Sequence, residues 1–160
     1  MELLTLHKTD ALIQNESTKD ALIDSRIDLE LKVVSLAASR RSVEDLEHLN
    51  SCLQAYIDKV LDKKDTYQED LLFHLAIARA CGNTEYNKRF LMMAVDILNF
   101  EKQNIPNCYE FRIASIKKYQ AIFKAIISQN TEVAKEKMKD YLESLYANCW
   151  FELSNKYENF

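Results

Sequence analysis

A chain of 160 residues with one glycine, Gly82, and one proline, Pro106, has few ways to turn tightly. Hairpins draw on Gly or Asn at positive φ, and β-rich folds are punctuated by Gly/Pro turns. Near absence of both predicts an all-α protein with short connections. The length suits one domain with a core of useful size. Hydrophobic residues at 48% and charged residues at 29% are an ordinary globular mixture. No repeat of fixed period is present, which disfavours a helical solenoid.

Cap residues and apolar periodicity divide the chain into six helical segments. Ser17, with Asp20 as the acidic member of a capping box, opens the first, which runs to about Ala38. Ser42, with Asp45 three residues on, opens the second, which runs to about Leu61. Asp65 starts the third, and Gly82 supplies its C-cap. The fourth covers about Thr84 to Lys102. Pro106 and Asn107 break the chain before the fifth, which ends near Gln129. Asn130 or Thr131 starts the sixth, which reaches about Leu153. Residues 1–16 are either a short N-terminal helix or a linker, and residues 17–160 form the domain. Short connections make neighbours antiparallel, so the expectation is an antiparallel bundle of six to seven helices.

The formal net charge of −4 is no footprint for a polyanion. The basic pairs Arg40-Arg41, Lys63-Lys64 and Lys117-Lys118 are scattered among acids and read as solvated surface. Cys52, Cys81, Cys108 and Cys149 are far apart in sequence, so neither a redox pair nor a zinc ribbon is suggested. A reducing, cytoplasmic compartment is expected. The N-terminus lacks the long apolar stretch of a signal peptide, and no apolar run reaches the roughly 18–20 residues that span a bilayer.

The informative residues are polar ones on apolar stripes. In "YQEDLLFHLAIARACGN", Asp70, His74, Ile77 and Cys81 fall on one helical face. In the fifth segment, Arg112, Tyr119, Phe123 and Ile126 share a face, with Ser115, Ile116 and Ile122 beside them. In the sixth, Ala134, Met138, Tyr141, Leu145 and Cys149 align. In the first, Arg26 and Glu30 lie next to Ile23, Val33, Val34 and Ala37. Burying an unpaired polar group costs about 2–7 kcal/mol, so such a cluster must be paired, hydrated or arranged around a ligand. Bundle interiors are a usual place for ligand and metal sites. Simpler readings stand beside this one. Asp70/His74 and Arg26/Glu30 also suit local i,i+4 pairs, and Tyr119 and Tyr141 suit core aromatics with satisfied hydroxyls. His7 and His48 read as surface residues, and Trp150 and Phe151 as packing or a subunit contact.

The segment "DSRIDLELKVVSLAASRRSVEDLEHL" resembles the opening of the FCD effector-binding domain of FadR-type regulators in the GntR superfamily. Arg26, Leu29, Glu30, Leu36, Ala37, Ala38 and Ser42 carry the resemblance. "EDLLFHLAIARACGN" is similar to the family's second motif through Asp70, Phe73, His74, Ala80 and Asn83. "FRIASIKKYQAIFKAIISQNTEVAKEKMKDYL" continues it through Arg112, Ser115, Ile122, Ala125, Ile126, Ala134, Met138 and Leu142. The resemblance covers about Ser17 to Cys149.

What the resemblance implies is a sensing and dimerising domain, not an enzyme, that binds a small organic acid, sugar acid or amino-acid-like effector. Many members hold a divalent metal with an Asp, a His from the same helix and two further His. Asp70 and His74 keep the first half of that set. Tyr119 and Tyr141 stand where the other two His belong, and Lys118 replaces the Glu before the first. A neutral phenol is a poor ligand for Zn²⁺ or Ni²⁺, and a phenolate pair suited to Fe(III) would require two deprotonated tyrosines. The expectation is therefore no cofactor, with the tyrosine hydroxyls donating to the effector or to Asp70. Arg26, Asp70, His74, Arg112, Tyr119 and Tyr141 are the expected effector-binding residues, with Arg26 and Arg112 as carboxylate anchors. The resemblance further implies a homodimer whose DNA contact is made by a winged-helix domain that nothing in these 160 residues resembles. The competing reading is a helical adaptor with no small-molecule ligand. No pair of E-x-x-H motifs, G-x-S-x-G elbow or P-loop suggests catalysis.

Overall fold

The computed structural model describes the backbone of residues 2–105 and 107–158 and the side chains of residues 18–105 and 107–147. His7, Cys149, Trp150 and Phe151 lie outside the described side chains. Six helices follow in order: α1 (Glu2–Arg40), α2 (Val43–Leu61), α3 (Tyr67–Ala80), α4 (Thr84–Asn104), α5 (Tyr109–Ile127) and α6 (Thr131–Glu158). The described residues contain no strand. The architecture is an antiparallel helical bundle in which α1 packs against α3, α4, α5 and α6.

The helix ends explain the short connections. Ser42 accepts from the Asp45 backbone N–H while the Asp45 carboxylate accepts from the Ser42 N–H, so the expected capping box opens α2. Gly82 sits at φ +66, the left-handed position that releases the chain from α3. Asn83 accepts from the Tyr86 N–H and opens α4 directly. Asn130 accepts from the Val133 N–H and opens α6. The first helix departs from the reading above. It begins at Glu2 and runs 39 residues, with Ser17 inside it. Nothing between Glu2 and Arg40 is Gly or Pro, so a cap-forming residue there interrupts no hydrogen-bond ladder.

Arg40 and Arg41 are not idle surface. Arg41 donates to the carbonyls of Ile126 (3.3 Å) and Ile127 (2.6 Å), and Arg40 reaches the Gly82 carbonyl at 3.4 Å. They satisfy orphan carbonyls at the end of α5 and beyond α3, a place where a guanidinium also meets the negative end of the helix dipole. His48 is exposed, as read from the sequence. The core is one cluster drawn from all six helices, including Val34, Leu49, Phe73, Phe90, Ile122 and Met138. Among the described residues, no helix is long and apolar enough to cross a membrane.

Candidate functional site

Among the described residues, eight polar or charged side chains are buried: Arg26, Glu30, Thr66, Asp70, His74, Glu101, Arg112 and Ser115. Each expected site residue is among them or, as with Tyr119 and Tyr141, is a fully buried phenol. The helical stripes explain how they come inside. Asp70 and His74 lie one turn apart on the face of α3 that Phe73 and Ile77 bury. Tyr119 lies between Ser115 and Ile122 on the buried face of α5. Tyr141 follows Ala134 and Met138 on α6.

The tyrosines and Asp70 form a hydrogen-bonded row. Tyr119 donates to the Tyr141 hydroxyl at 2.7 Å, and Tyr141 donates to Asp70 Oδ1 at 3.0 Å. At the other end, His74 Nε2 lies 3.0 Å from the Tyr119 hydroxyl. The direct Asp70–His74 approach is 3.9 Å, so the i,i+4 pair is bridged by the two phenols and not closed upon itself. Three contacts need three protons. Each phenol supplies one, so the third belongs to His74 Nε2. His74 Nδ1 meets a Glu30 carboxylate oxygen. Both ring nitrogens of His74 are thus engaged within the row.

Glu30 connects this row to a second cluster. Arg26 Nε donates to Glu30 at 2.7 Å, and Arg26 Nη1 donates to Glu101 at 2.6 Å and to the Tyr146 hydroxyl at 3.0 Å. The Arg26–Glu30 pair expected within one helix is therefore part of a buried network spanning α1, α3, α4 and α6. Burial works to raise the Glu30 carboxyl, but His74 and Arg26 outweigh it and hold the group below its usual range. Glu101 goes the other way: burial first, and then the charge of Asp70, push it up to about 7 against the pull of Arg26. Burial and the charge of Asp70 also drive Tyr141 well above a phenol's ordinary value. Burial raises Tyr146 to about 12.

Arg112 is a further buried charge, and Asp70 is the charged group that acts on it most strongly. It is 2% exposed, yet none of its three guanidinium nitrogens has a hydrogen-bond partner. It is close enough to Tyr56 and Tyr67 to lower their hydroxyls against the upward push of burial, but not in hydrogen-bonding geometry. Its ring contact with Tyr67 is a cation–π approach of 5.0 Å. Burial acts to lower its own pKa, but Asp70, Tyr141 and Tyr56 together raise it, so the charge is retained. The other buried side-chain atoms without a hydrogen-bond partner among the described residues are Asp70 Oδ2, Glu101 Oε2, Arg26 Nη2, and the hydroxyls of Tyr56 and Thr66.

The residues present do not fit the family's divalent metal. Among the described residues, no group of three or more His, Cys, Asp or Glu is placed to hold an ion. Asp70 and His74 would offer two donors, and the tyrosine row already engages Asp70 Oδ1 and His74 Nε2. Supplying phenolates would require ionising Tyr141, which burial and Asp70 strongly oppose.

Among the described residues, Arg112 lines a depression of about 30 Å³ together with Val60, Lys63, Lys64, Asn107 and Tyr109. Larger grooves, of about 550 and 380 Å³, lie between α1 and α4, away from Asp70 and His74. Sequence reading missed Glu101, Tyr146 and Tyr56. The signal was there: Phe90, Ala94, Ile97 and Glu101 fall on one buried stripe of α4, as Leu49, Leu53, Tyr56 and Val60 do on α2.

The family model described as the FCD domain matches residues 21–144. No curated protein matches the chain. Among solved structures, E. coli McbR/YncC is similar with a TM-score of 0.71 at 21% identity, covering 84% of this chain and 65% of that one. A GntR protein of Streptococcus agalactiae is similar with a TM-score of 0.70 at 21% identity, covering 81% of this chain and 58% of that one. The matched region thus spans less than two thirds of either structure, and at this identity the likeness concerns the fold.

Proposed function

Because the chain belongs to the FCD domain family, we propose that it is the effector-sensing and dimerising part of a GntR-type transcriptional regulator, taking up a small organic or sugar acid inside the bundle. A domain of this family is regulatory and not catalytic. The observation that carries the effector reading is Arg112: a buried guanidinium with all three nitrogens unmatched. Guanidinium binds carboxylate through paired, charge-assisted hydrogen bonds, and leaving such a group bare costs several kcal/mol, on the order of the buried-charge penalty. A carboxylate placed there removes that cost.

The remaining residues have roles in this reading. Asp70, His74, Tyr119 and Tyr141 form the wall of the site, with the phenol row occupying the place of the metal. Arg26 holds Glu30 and Glu101 in register and offers Nη2 to the ligand. The effector shifts the balance between two arrangements of the bundle by binding one better than the other. Assembly as a homodimer would pass that shift to DNA-binding winged-helix domains that are separate from this domain. Such a regulator works in the cytoplasm.

Thermal melting against a panel of small carboxylates and sugar acids, each with and without divalent metal, tests this. A ligand at 100 times its Kd adds about 2.7 kcal/mol, a rise of several degrees in a domain of this size. The expected result is stabilisation by an acid without metal, abolished in Arg112→Met. Stabilisation only with metal refutes the phenol-row reading. No response to any acid moves weight to a helical adaptor.

A further inference from the structure

The depression that Arg112 lines has a one-sided wall. Arg112, Lys63 and Lys64 are cations, Asn107 adds an amide and Tyr109 a phenol, and no acid takes part. Arg112 is the buried member of this wall, and Lys63 and Lys64 are exposed ones. The acids that neighbour them in sequence lie outside it. Asp62 pairs loosely with Lys64 at 3.9 Å, Asp65 accepts from the Tyr67 N–H at 2.9 Å, and Glu110 accepts from the Cys108 thiol at 3.1 Å. The rings of Tyr67 and Phe111, 5.0 and 5.8 Å from the central guanidinium carbon of Arg112, favour its charge but accept none of its N–H groups.

Two helix ends build this wall. α2 closes with Lys63 in the left-handed conformation (φ 56), its N–H bonded to the Val60 carbonyl and that of Lys64 to the Lys59 carbonyl. That closure sets two successive lysines beside Val60 at the depression. The other end is the start of α5. Asn107 and Tyr109 join the wall there, and the N-cap residue Cys108 makes no side-chain cap bond. The positive end of the α5 dipole therefore adds to the three cations. Lys63 Nζ rests 5.0 Å from the centre of the Tyr109 ring, a weak hold that an anion displaces.

The donors of this wall outnumber what a carboxylate accepts comfortably. A guanidinium presents N–H groups in a planar fork, and each lysine adds a separate ammonium group. A carboxylate has its two oxygens in one plane, and the paired donors of Arg112 engage both. The lysines would then share oxygens already engaged. A phosphoryl group spreads three oxygens tetrahedrally and carries a charge of about −1.5 to −2 at pH 7, so it meets the guanidinium and the two ammonium groups together. We propose that the depression is the seat of a phosphoryl group, either free phosphate or the end of a small phosphorylated acid, held by Arg112, Lys63 and Lys64. This rests on the effector reading above and narrows it, by making the anionic end that Arg112 takes a phosphoryl group. A volume of about 30 Å³ holds about two water-sized groups, so the seat takes one end of a ligand, with the two exposed lysines closing over it.

The test uses pairs that differ only in the phosphoryl group, 6-phosphogluconate against gluconate and 3-phosphoglycerate against glycerate, with inorganic phosphate alone as a further probe. Binding to the 160-residue chain in phosphate-free buffer is followed by calorimetry and thermal shift. The expected result is that a phosphorylated acid binds tenfold or more tighter than its partner, or that inorganic phosphate binds tenfold or more tighter than gluconate and glycerate. Inorganic phosphate binding as tightly as the phosphorylated acids identifies free phosphate as the occupant, and tighter binding of a phosphorylated acid identifies the end of a larger ligand; either upholds the seat. The double change Lys63→Gly with Lys64→Gln keeps the left-handed turn, leaves the buried residues untouched and reduces the preference at least tenfold. If gluconate or glycerate binds as tightly as every phosphorylated probe, the phosphoryl proposal is overturned while acid sensing survives. An undiminished preference in the double variant overturns the placement in the depression. If neither phosphate nor either phosphorylated acid binds, the phosphoryl seat is overturned, and the carboxylate panel above decides the acid reading by itself.

Discussion

Replacing Glu101 by Gln changes the pH dependence of stability in a direction the structure fixes. Glu101 is buried, and its carboxyl titrates near 7 in place of the ordinary 4.5. Below pH 4.5 the carboxyl is protonated in both the folded and the unfolded chain, and it makes no difference to stability. As pH rises from 4.5 to 7, the unfolded chain releases this proton while the folded one keeps it. Stability falls through that window and levels off above it. A shift from 4.5 to about 7 corresponds to about 3 kcal/mol. Gln imitates the protonated acid. Its carbonyl oxygen can still accept from Arg26 Nη1, which Glu101 does now at 2.6 Å. Urea titrations at pH 5 and pH 8 measure the effect. The wild-type chain is expected to lose about 2.5 kcal/mol more than Glu101→Gln between these two conditions, part of the full effect lying below pH 5. In melting experiments at pH 8 the variant should lead by roughly 6–12 °C, given 2–4 °C per kcal/mol for a domain of this size. Parallel curves for the two proteins from pH 5 to 8 would refute the reasoning. They would mean that Arg26 fully stabilises both of its carboxylate partners and that Glu101 is ionised throughout.

Three other outcomes follow from the same network and the helix ends. Tyr141→Phe removes the donor to Asp70 and the acceptor for Tyr119, so calorimetry should show a loss of about 2 kcal/mol, roughly 4–8 °C. Arg41→Ala strips the last carbonyls of α5 of their charged donor, and a urea titration should show about 1 kcal/mol lost, with little change in ligand response. The double change Tyr119→His with Tyr141→His puts imidazoles where phenols now stand beside Asp70 and His74. Zinc titration calorimetry should detect tight binding in that variant and none in the wild-type chain.

Much of this was legible in the chain itself. One Gly and one Pro ruled out a turn-rich sheet and left helices, and Ser42, Asp45, Gly82 and Asn130 marked where they stop and start. Periodicity also placed Arg26, Asp70, His74, Arg112, Tyr119 and Tyr141 on inward faces, and all six are buried. The N-terminal boundary was not legible. Ser17 has the residue type of a cap, but a cap forms only where the backbone leaves the helix, and α1 continues through it from Glu2.

Which faces meet was beyond the sequence, because helical spacing fixes a residue's direction on its own helix and says nothing about the helix opposite. Arg26 was readable as a partner for Glu30 four residues on; only packing brings it to Glu101, 75 residues away, and to Tyr146, 120 residues away. Asp70 and His74 looked like a pair, but the bundle inserts Tyr119 and Tyr141 between them. Arg112 was readable as an anchor, yet its three unmatched nitrogens follow from what surrounds it, not from what precedes it. The sequence determined which polar groups go inside. The tertiary structure decided which of them satisfy one another and which remain unmatched, because hydrogen bonds form only between groups that packing brings within about 3 Å.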